Sequence, residues 1–278
     1  MVITRLIRNQ LVSSPGTWVR IPPTPPNRGN KVEEEKKKQT IKLCVAVSML
    51  ILILIIVMTV MIKYEVEGDK NMPFNLSKIM VVSTAEGVET EGKSKWNFNV
   101  FQNNDIYFYI DKNENYNGKT NFINSIKIEN IQISKQPEIG EVQTYMPSSV
   151  DGRLYSYDKE YIVENSLEYR GGTKSNPQTL EIGNQGGNAL IRFCNTNIGN
   201  YSSDKDTQIV HDGSLLNKIN LTNEQIKFKV SFDFIINITN SKYKANITLN
   251  LPSGNILENG TESIEKTDMS DVIFKRVK

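Results

Sequence analysis

The sequence predicts an all-β domain, a β-sandwich of jelly-roll or immunoglobulin-like type, preceded by a single transmembrane α-helix. Three observations carry that expectation. Residues 226–251 alternate apolar and polar side chains with a break at Asn240 and Ser241, the period of two that marks strands with one buried face. Many short runs rich in Ile, Phe and Tyr, punctuated by Gly, Asn, Pro and Asp, lie between residues 76 and 278, as in a sandwich of short strands. Residues 43–62 form an uncharged apolar run of twenty, and a helix of that length reaches about 30 Å, the thickness of a bilayer's hydrocarbon.

Residues 1–42 read as a cytoplasmic leader holding nine Lys/Arg against three Glu. Within it, Val19, Arg20, Ile21 and Pro22 reverse-translate to GTT CGA ATC CC, which resembles the T-arm of a transfer RNA gene read in frame. Residues 1–31 are accordingly read as a mis-called start, with Val32 as the initiating codon. The alternative is a Pro-rich tail, IPPTPP, with the composition of a polyproline II segment.

In the apolar run, thirteen of twenty residues are Leu, Ile or Val, each favouring insertion at mid-helix by about 0.3 to 0.6 kcal/mol. Lys36, Lys37, Lys38 and Lys42 precede it, and Glu65, Glu67 and Asp69 follow Lys63. Because basic flanks are retained in the cytoplasm, the expected topology is plasma membrane, single-pass, N-terminus inside and C-terminal domain outside. The run ends Thr59, Val60, Met61, Ile62, Lys63, which lacks the small-x-small site of a cleaved signal peptide; it reads as a signal-anchor. Cys44 opens the run and is read as a plain helix residue. Residues 63–75 are expected to be a juxtamembrane linker.

The domain 76–278 follows. The hairpin 226–251 is its most secure element. Further strands are expected at 79–83, 96–101, 106–110, 125–134, 154–157, 161–163, 167–169, 179–182, 189–195 and 272–277. Ile126 and Ile128 change parity against Ile131 and Ile133, so a bulge is expected around Glu129 and Asn130. Helical periodicity is confined to a turn or so near 214–220, and two smaller sandwiches meeting near 146–152 remain an alternative.

Residues 64–278 hold 23 Lys/Arg against 28 Asp/Glu, which gives no basic footprint for nucleic acid. With two cysteines and one histidine, a disulfide scaffold and a thiolate zinc site are excluded. Asp111, Asn113, Asn115 and Asn117 alternate like calcium ligands, but Tyr116 and Phe122 stand where an EF-hand loop needs Gly and Glu, so a hairpin connection is expected. Gly183, Gly186 and Gly187 precede a strand rather than a helix and read as a turn, not a phosphate cradle. His211, Asp212 and Ser214 are neighbours in one turn, an arrangement that seldom converges as a catalytic triad. Cys194 reads as an inert strand thiol. No catalytic, cofactor-binding or metal site is therefore assigned.

Tyr107 and Tyr109 share one strand face, as do Tyr155 and Tyr157. The four are candidates for an aromatic platform that receives a sugar ring or a partner protein, with cross-strand packing as the commoner use of such pairs. The expected function is a membrane-anchored extracytoplasmic binding or structural module at a bacterial cell surface, contacting the bilayer through residues 43–62 and a cell-wall polymer or surface protein through the domain. The alternatives are a bitopic subunit of an envelope complex and a cell-wall hydrolase with paired carboxylates.

Overall fold

The computed structural model describes residues 29–90, 95–148, 153–172, 180–204 and 213–277. The leader up to residue 28, Thr179, His211 and Asp212 lie outside them, as does part of the 146–152 junction. The chain divides into two compact units, Met1–Met58 and Thr59–Lys278.

The first helix, α1 (Gly29–Glu67), is longer at both ends than its apolar run. Glu33, Glu34 and Glu35 precede Lys36, Lys37 and Lys38 at a spacing of three, a charge order that supports a helix on its N-terminal side. The apolar residues from Leu43 to Ile62 are exposed along the whole helix, and it is long and apolar enough to cross a membrane. It stops at Gly68, whose φ of +69° lets its N–H reach back to the Tyr64 carbonyl at 2.8 Å, a left-handed cap that glycine adopts without strain.

The remainder is mostly β, in two sheets. One has the order β10-β1-β2-β7-β4, the other β11-β9-β8-β3-β5-β6. The first combines β1 (Phe74–Thr90), β2 (Lys95–Lys112), β4 (Glu141–Tyr145), β7 (Gly187–Asp204) and β10 (Thr261–Lys266). The second combines β3 (Ile123–Lys135), β5 (Ser166–Gly172), β6 (Glu181–Gly183), β8 (Phe228–Ile238), β9 (Ser241–Leu251) and β11 (Lys275–Val277). All pairings are antiparallel except β5 with β6. The division into five and six described strands differs from the four and three of an immunoglobulin constant domain and exceeds a jelly roll's eight.

Alternation decides which faces meet. Ile106, Phe108 and Ile110 of β2, Ile191 and Phe193 of β7, and Phe232, Phe234 and Ile236 of β8 are all fully buried in one core. Across it Phe108 contacts Phe232 edge-on at 5.7 Å and Phe234 at 4.8 Å between ring centroids, and Phe193 stacks with Phe232 at 6.3 Å. Such offset and edge contacts add about 0.5–1.5 kcal/mol each beyond burial. A second apolar cluster, Val100, Ile198, Leu216, Leu221, Ile226 and Ile256, lies under two short helices, α2 (Leu215–Lys218) and α3 (Asn223–Ile226). Thr222 begins α3 through a capping box with Gln225.

Between the two clusters, on the inward side of the first sheet, sits a belt of fully buried polar side chains: Ser83, Gln102, Asn104 and Asn195. Ser83 donates to Asn104 Oδ1 at 2.8 Å, and Asn104 Nδ2 donates to the Phe193 carbonyl at 3.1 Å. This belt explains why 96–101 and 106–110, separate in the hydropathy pattern, are one continuous strand β2.

The expected bulge is present. Register shifts between Glu129 and Gln132, and Asn130 takes φ +55°. Its side chain donates to Asp233 Oδ2 at 2.7 Å. Two expected strands are not formed: 154–157 takes no regular structure beyond a bend at Leu154, and 161–163 contributes only an isolated bridge from Ile162 to Tyr145.

Candidate functional site

The outward face of the first sheet is built by the side chains that alternate with its core. On β2 these are Asn103, Asp105, Tyr107 and Tyr109; opposite them on β7 stand Cys194, Arg192, Leu190 and Asn188. On the other side lie Thr84, Val82, Met80 and Lys78 of β1. Opposite charges at directly paired positions attract, and Arg192 and Asp105 form a two-pronged ion pair: Nε to Oδ1 at 2.5 Å and Nη2 to Oδ2 at 2.8 Å. Their side chains are only 12% and 14% exposed.

The cover over this pair is the segment after β4. Its base is tied by Met146 N–H to the Tyr161 carbonyl at 2.9 Å and by Val163 N–H to the Thr144 carbonyl at 2.8 Å. The segment lays the Tyr155 ring against the Arg192 guanidinium at 4.2 Å. It also brings Tyr157 Oη within reach of Arg192 Nη1 at 3.0 Å and Asn103 Nδ2 at 2.7 Å, both donating to it. Phe101 and Tyr145 hold the Tyr157 ring edge-on at 5.3 and 5.5 Å. Burial alone would weaken the charge on Arg192; the hydrogen bond and charge of Asp105 outweigh it, and the guanidinium pKa is raised.

Burial pushes the hydroxyls of Tyr155 and Tyr157 well above the ordinary phenol range, so neither ionises near neutrality. The Cys194 thiol lies beneath the same cover and is pushed up to about 12, chiefly by burial; a thiol so placed is not a nucleophile. Tyr169 of β5 closes the adjoining sheet edge beyond the end of β4. Its hydroxyl donates to the Leu190 carbonyl at 2.6 Å and accepts from the Leu190 N–H at 3.0 Å, replacing the ladder partner a longer β4 would supply.

The four platform tyrosines are therefore placed differently. Tyr107 and Tyr109 stand half-buried on the outward face of β2, and the Lys78 ammonium lies 4.3 Å from the Tyr109 ring centre. Tyr157 is 40% exposed at the edge of the cover, whereas Tyr155 is 4% exposed and committed to Arg192. Three aromatic rings thus reach the surface of this face, beside a locked ion pair.

Other candidates resolve into structural roles. Asn113 Nδ2 donates to the Met72 carbonyl at 2.8 Å, and Asn113 Oδ1 accepts from Asn115 N–H at 3.0 Å, so this loop is tied to the segment before β1; it joins β2 of one sheet to β3 of the other and is not the expected hairpin connection. Gly186 and Gly187 take φ of +125° and +153° in the turn into β7. Among the described residues no group of three or more His, Cys, Asp or Glu is placed to hold a metal ion.

Comparison of the chain with models of protein families, with curated proteins and with solved structures gives no match.

The Arg192–Asp105 pair was not singled out from the sequence. A signal existed: Arg192 interrupts the apolar run 189–194, and Asp105 directly precedes IYFYI. A lone charge inside or bordering an apolar strand run is costly to bury unless paired, so two such charges of opposite sign point to each other.

Proposed function

We propose that this chain is a single-pass membrane protein that holds a β-sandwich binding or structural module at the outer face of a bacterial plasma membrane, with its N-terminus in the cytoplasm. The observation that carries the reading is the junction between helix and sandwich. Tyr64 and Glu65 lie two and three residues past the apolar run, and both are bound by the last strand: Arg276 N–H donates to Tyr64 Oη at 2.8 Å, and Lys275 pairs with Glu65. Asp69 N–H donates to the Phe274 carbonyl at 2.8 Å. A processed signal sequence is cut at a small-x-small site just past its apolar region; here that place reads Thr59, Val60, Met61, Ile62, Lys63 and the residues directly after it are held by the last strand, which together support an uncleaved anchor.

The orientation rests on Lys36, Lys37, Lys38 and Lys42 before the run against Glu65, Glu67 and Asp69 after it. Binding through the outward face of the first sheet is supported by Tyr107, Tyr109 and Tyr157, which offer apolar ring surface with a polar edge, the kind that meets sugar rings and protein partners. The ligand class proposed is wall polymer or a surface protein. The test is retention of the chain by purified cell wall and by surface proteins, compared with Tyr107→Ala/Tyr109→Ala. Retention weakened at least tenfold by the double substitution supports the reading; equal retention of both, or none of either, overturns it.

A further inference from the structure

At the foot of the second sheet a groove of about 790 Å³ is lined by Tyr64, Asn124, Asn237, Asn240, Lys242 and Arg276 among others. Among the described residues two cations line it and no carboxylate does. Among the described residues neither Lys242 nor Arg276 has an ion-pair partner, although most neighbouring cations do: Lys275 with Glu65, Lys244 with Asp233 and Lys266 with Asp271. Among the described residues the Arg276 guanidinium makes only a 3.4 Å contact from Nη2 to the Asn240 carbonyl. The remaining lining is rich in amides, which donate to oxyanions as readily as they accept.

The place of this groove along the chain identifies what meets it. Tyr64 is two residues past Ile62, about 3 Å of helix rise, and Tyr side chains concentrate at headgroup level. Lys63, exposed beside it, adds a third cation. We infer that the groove formed by Tyr64, Lys242 and Arg276 receives the phosphate of anionic lipid headgroups in the membrane that α1 crosses, fixing the sandwich against the surface. The inference rests on the anchor proposed above. The bond from the Arg276 backbone N–H to Tyr64 Oη ties β11 to the helix foot, so the strand that carries Arg276 stands at headgroup level. Each Lys or Arg near an anionic surface contributes about 1 kcal/mol, so loss of two weakens the contact about thirtyfold.

The experiment uses the full chain in nanodiscs of phosphatidylcholine alone or with one-third phosphatidylglycerol. Amide hydrogen exchange is read in α1, in the β8–β9 turn at 239–240 and in β11. The expected result is α1 protected in both discs, with the turn and β11 exchanging at least fivefold more slowly in the phosphatidylglycerol discs. That slowing disappears in Lys242→Gln/Arg276→Gln while α1 and the core of β8 stay protected. Equal exchange in the two discs with α1 protected overturns the headgroup contact and leaves the anchor standing. Slowing in phosphatidylcholine discs on addition of inorganic phosphate alone also overturns it, because the groove would then be a free-phosphate site. An unprotected α1 in both overturns the anchor and this inference together.

Discussion

Replacing Asp105 with alanine removes the carboxylate that the Arg192 guanidinium contacts under the cover segment. The arginine cannot leave without abandoning Tyr155, 4.2 Å away, and the Tyr157 hydroxyl that accepts its hydrogen bond at 3.0 Å. Orphaning one member of a buried pair costs about 3–5 kcal/mol, whereas replacing both by apolar residues is often nearly neutral. Because the two side chains keep 12% and 14% exposure, water screens part of the orphaned charge, and the lower end applies, about 3 kcal/mol. For a domain of this size that lowers Tm by about 6–12 °C. Urea denaturation of the compact unit beginning at Thr59 measures it, with Asp105→Leu/Arg192→Met as the paired control. The control is expected within about 1.5 kcal/mol of the parent, since neither charge remains. A single-variant loss below about 1 kcal/mol, or a double variant as unstable as the sum of both singles, refutes the reasoning.

Two buried tyrosines, Tyr155 in the cover and Tyr169 at the sheet edge beside it, separate by their hydroxyls. Tyr169→Phe removes a donor and an acceptor from Leu190 and is expected to cost about 1–3 kcal/mol. Tyr155→Phe removes a buried hydroxyl with no hydrogen-bond partner among the described residues and is expected to be neutral or slightly stabilising in the same melts. The Asp233 carboxylate is opposed by burial but held by hydrogen bonds from Lys244, Asn130 and Asn246, and its pKa is lowered. A depressed native pKa adds stability above the unfolded carboxylate value, near 4, and loses it as pH falls through the native one. The stability gap between the parent and Asp233→Asn is therefore expected to be full above about pH 5 and to shrink towards pH 2; a gap constant over that range contradicts this. Cys194, its thiol pushed up to about 12 by burial, is expected to resist maleimide at pH 7.5 in the folded unit and to react fully in denaturant, and fast labelling of the native protein would show the cover to be open.

The parts of the fold legible in the sequence are those where one face is buried and the other wet. Phe228, Val230, Phe232, Phe234 and Ile236 alternate because β8 crosses the centre of the sandwich, and the parity change at Glu129 and Asn130 survives as a bulge because both sides must still aim inward. The pattern misleads where polar residues are buried by pairing. Gln102, Asn103 and Asn104 are fully buried yet look like a turn, so the hydropathy pattern shows β2 as two strands. Leu154 to Tyr157 alternates like a strand, but Tyr155 turns inward to meet Arg192 and the backbone finds no ladder partner. The edge strand β10, Thr261–Lys266, is mostly charged and polar, as edges exposed to water often are, and gave no apolar signal. At the candidate site the shared face of Tyr107 and Tyr109 followed from spacing of two. The fate of Tyr155 did not, because it depends on a cation 37 residues away along the chain.

The topology is tested most directly by cysteine accessibility in intact cells, with Cys44 and Cys194 replaced by serine and alanine and a single cysteine placed at Thr40 or Ser263, both exposed. A membrane-impermeant maleimide is predicted to label Ser263→Cys in intact cells and Thr40→Cys only after lysis. Labelling of Thr40→Cys alone before lysis, or recovery of the Ser263→Cys product from the medium without residue 40, contradicts an uncleaved helix with its sandwich outside.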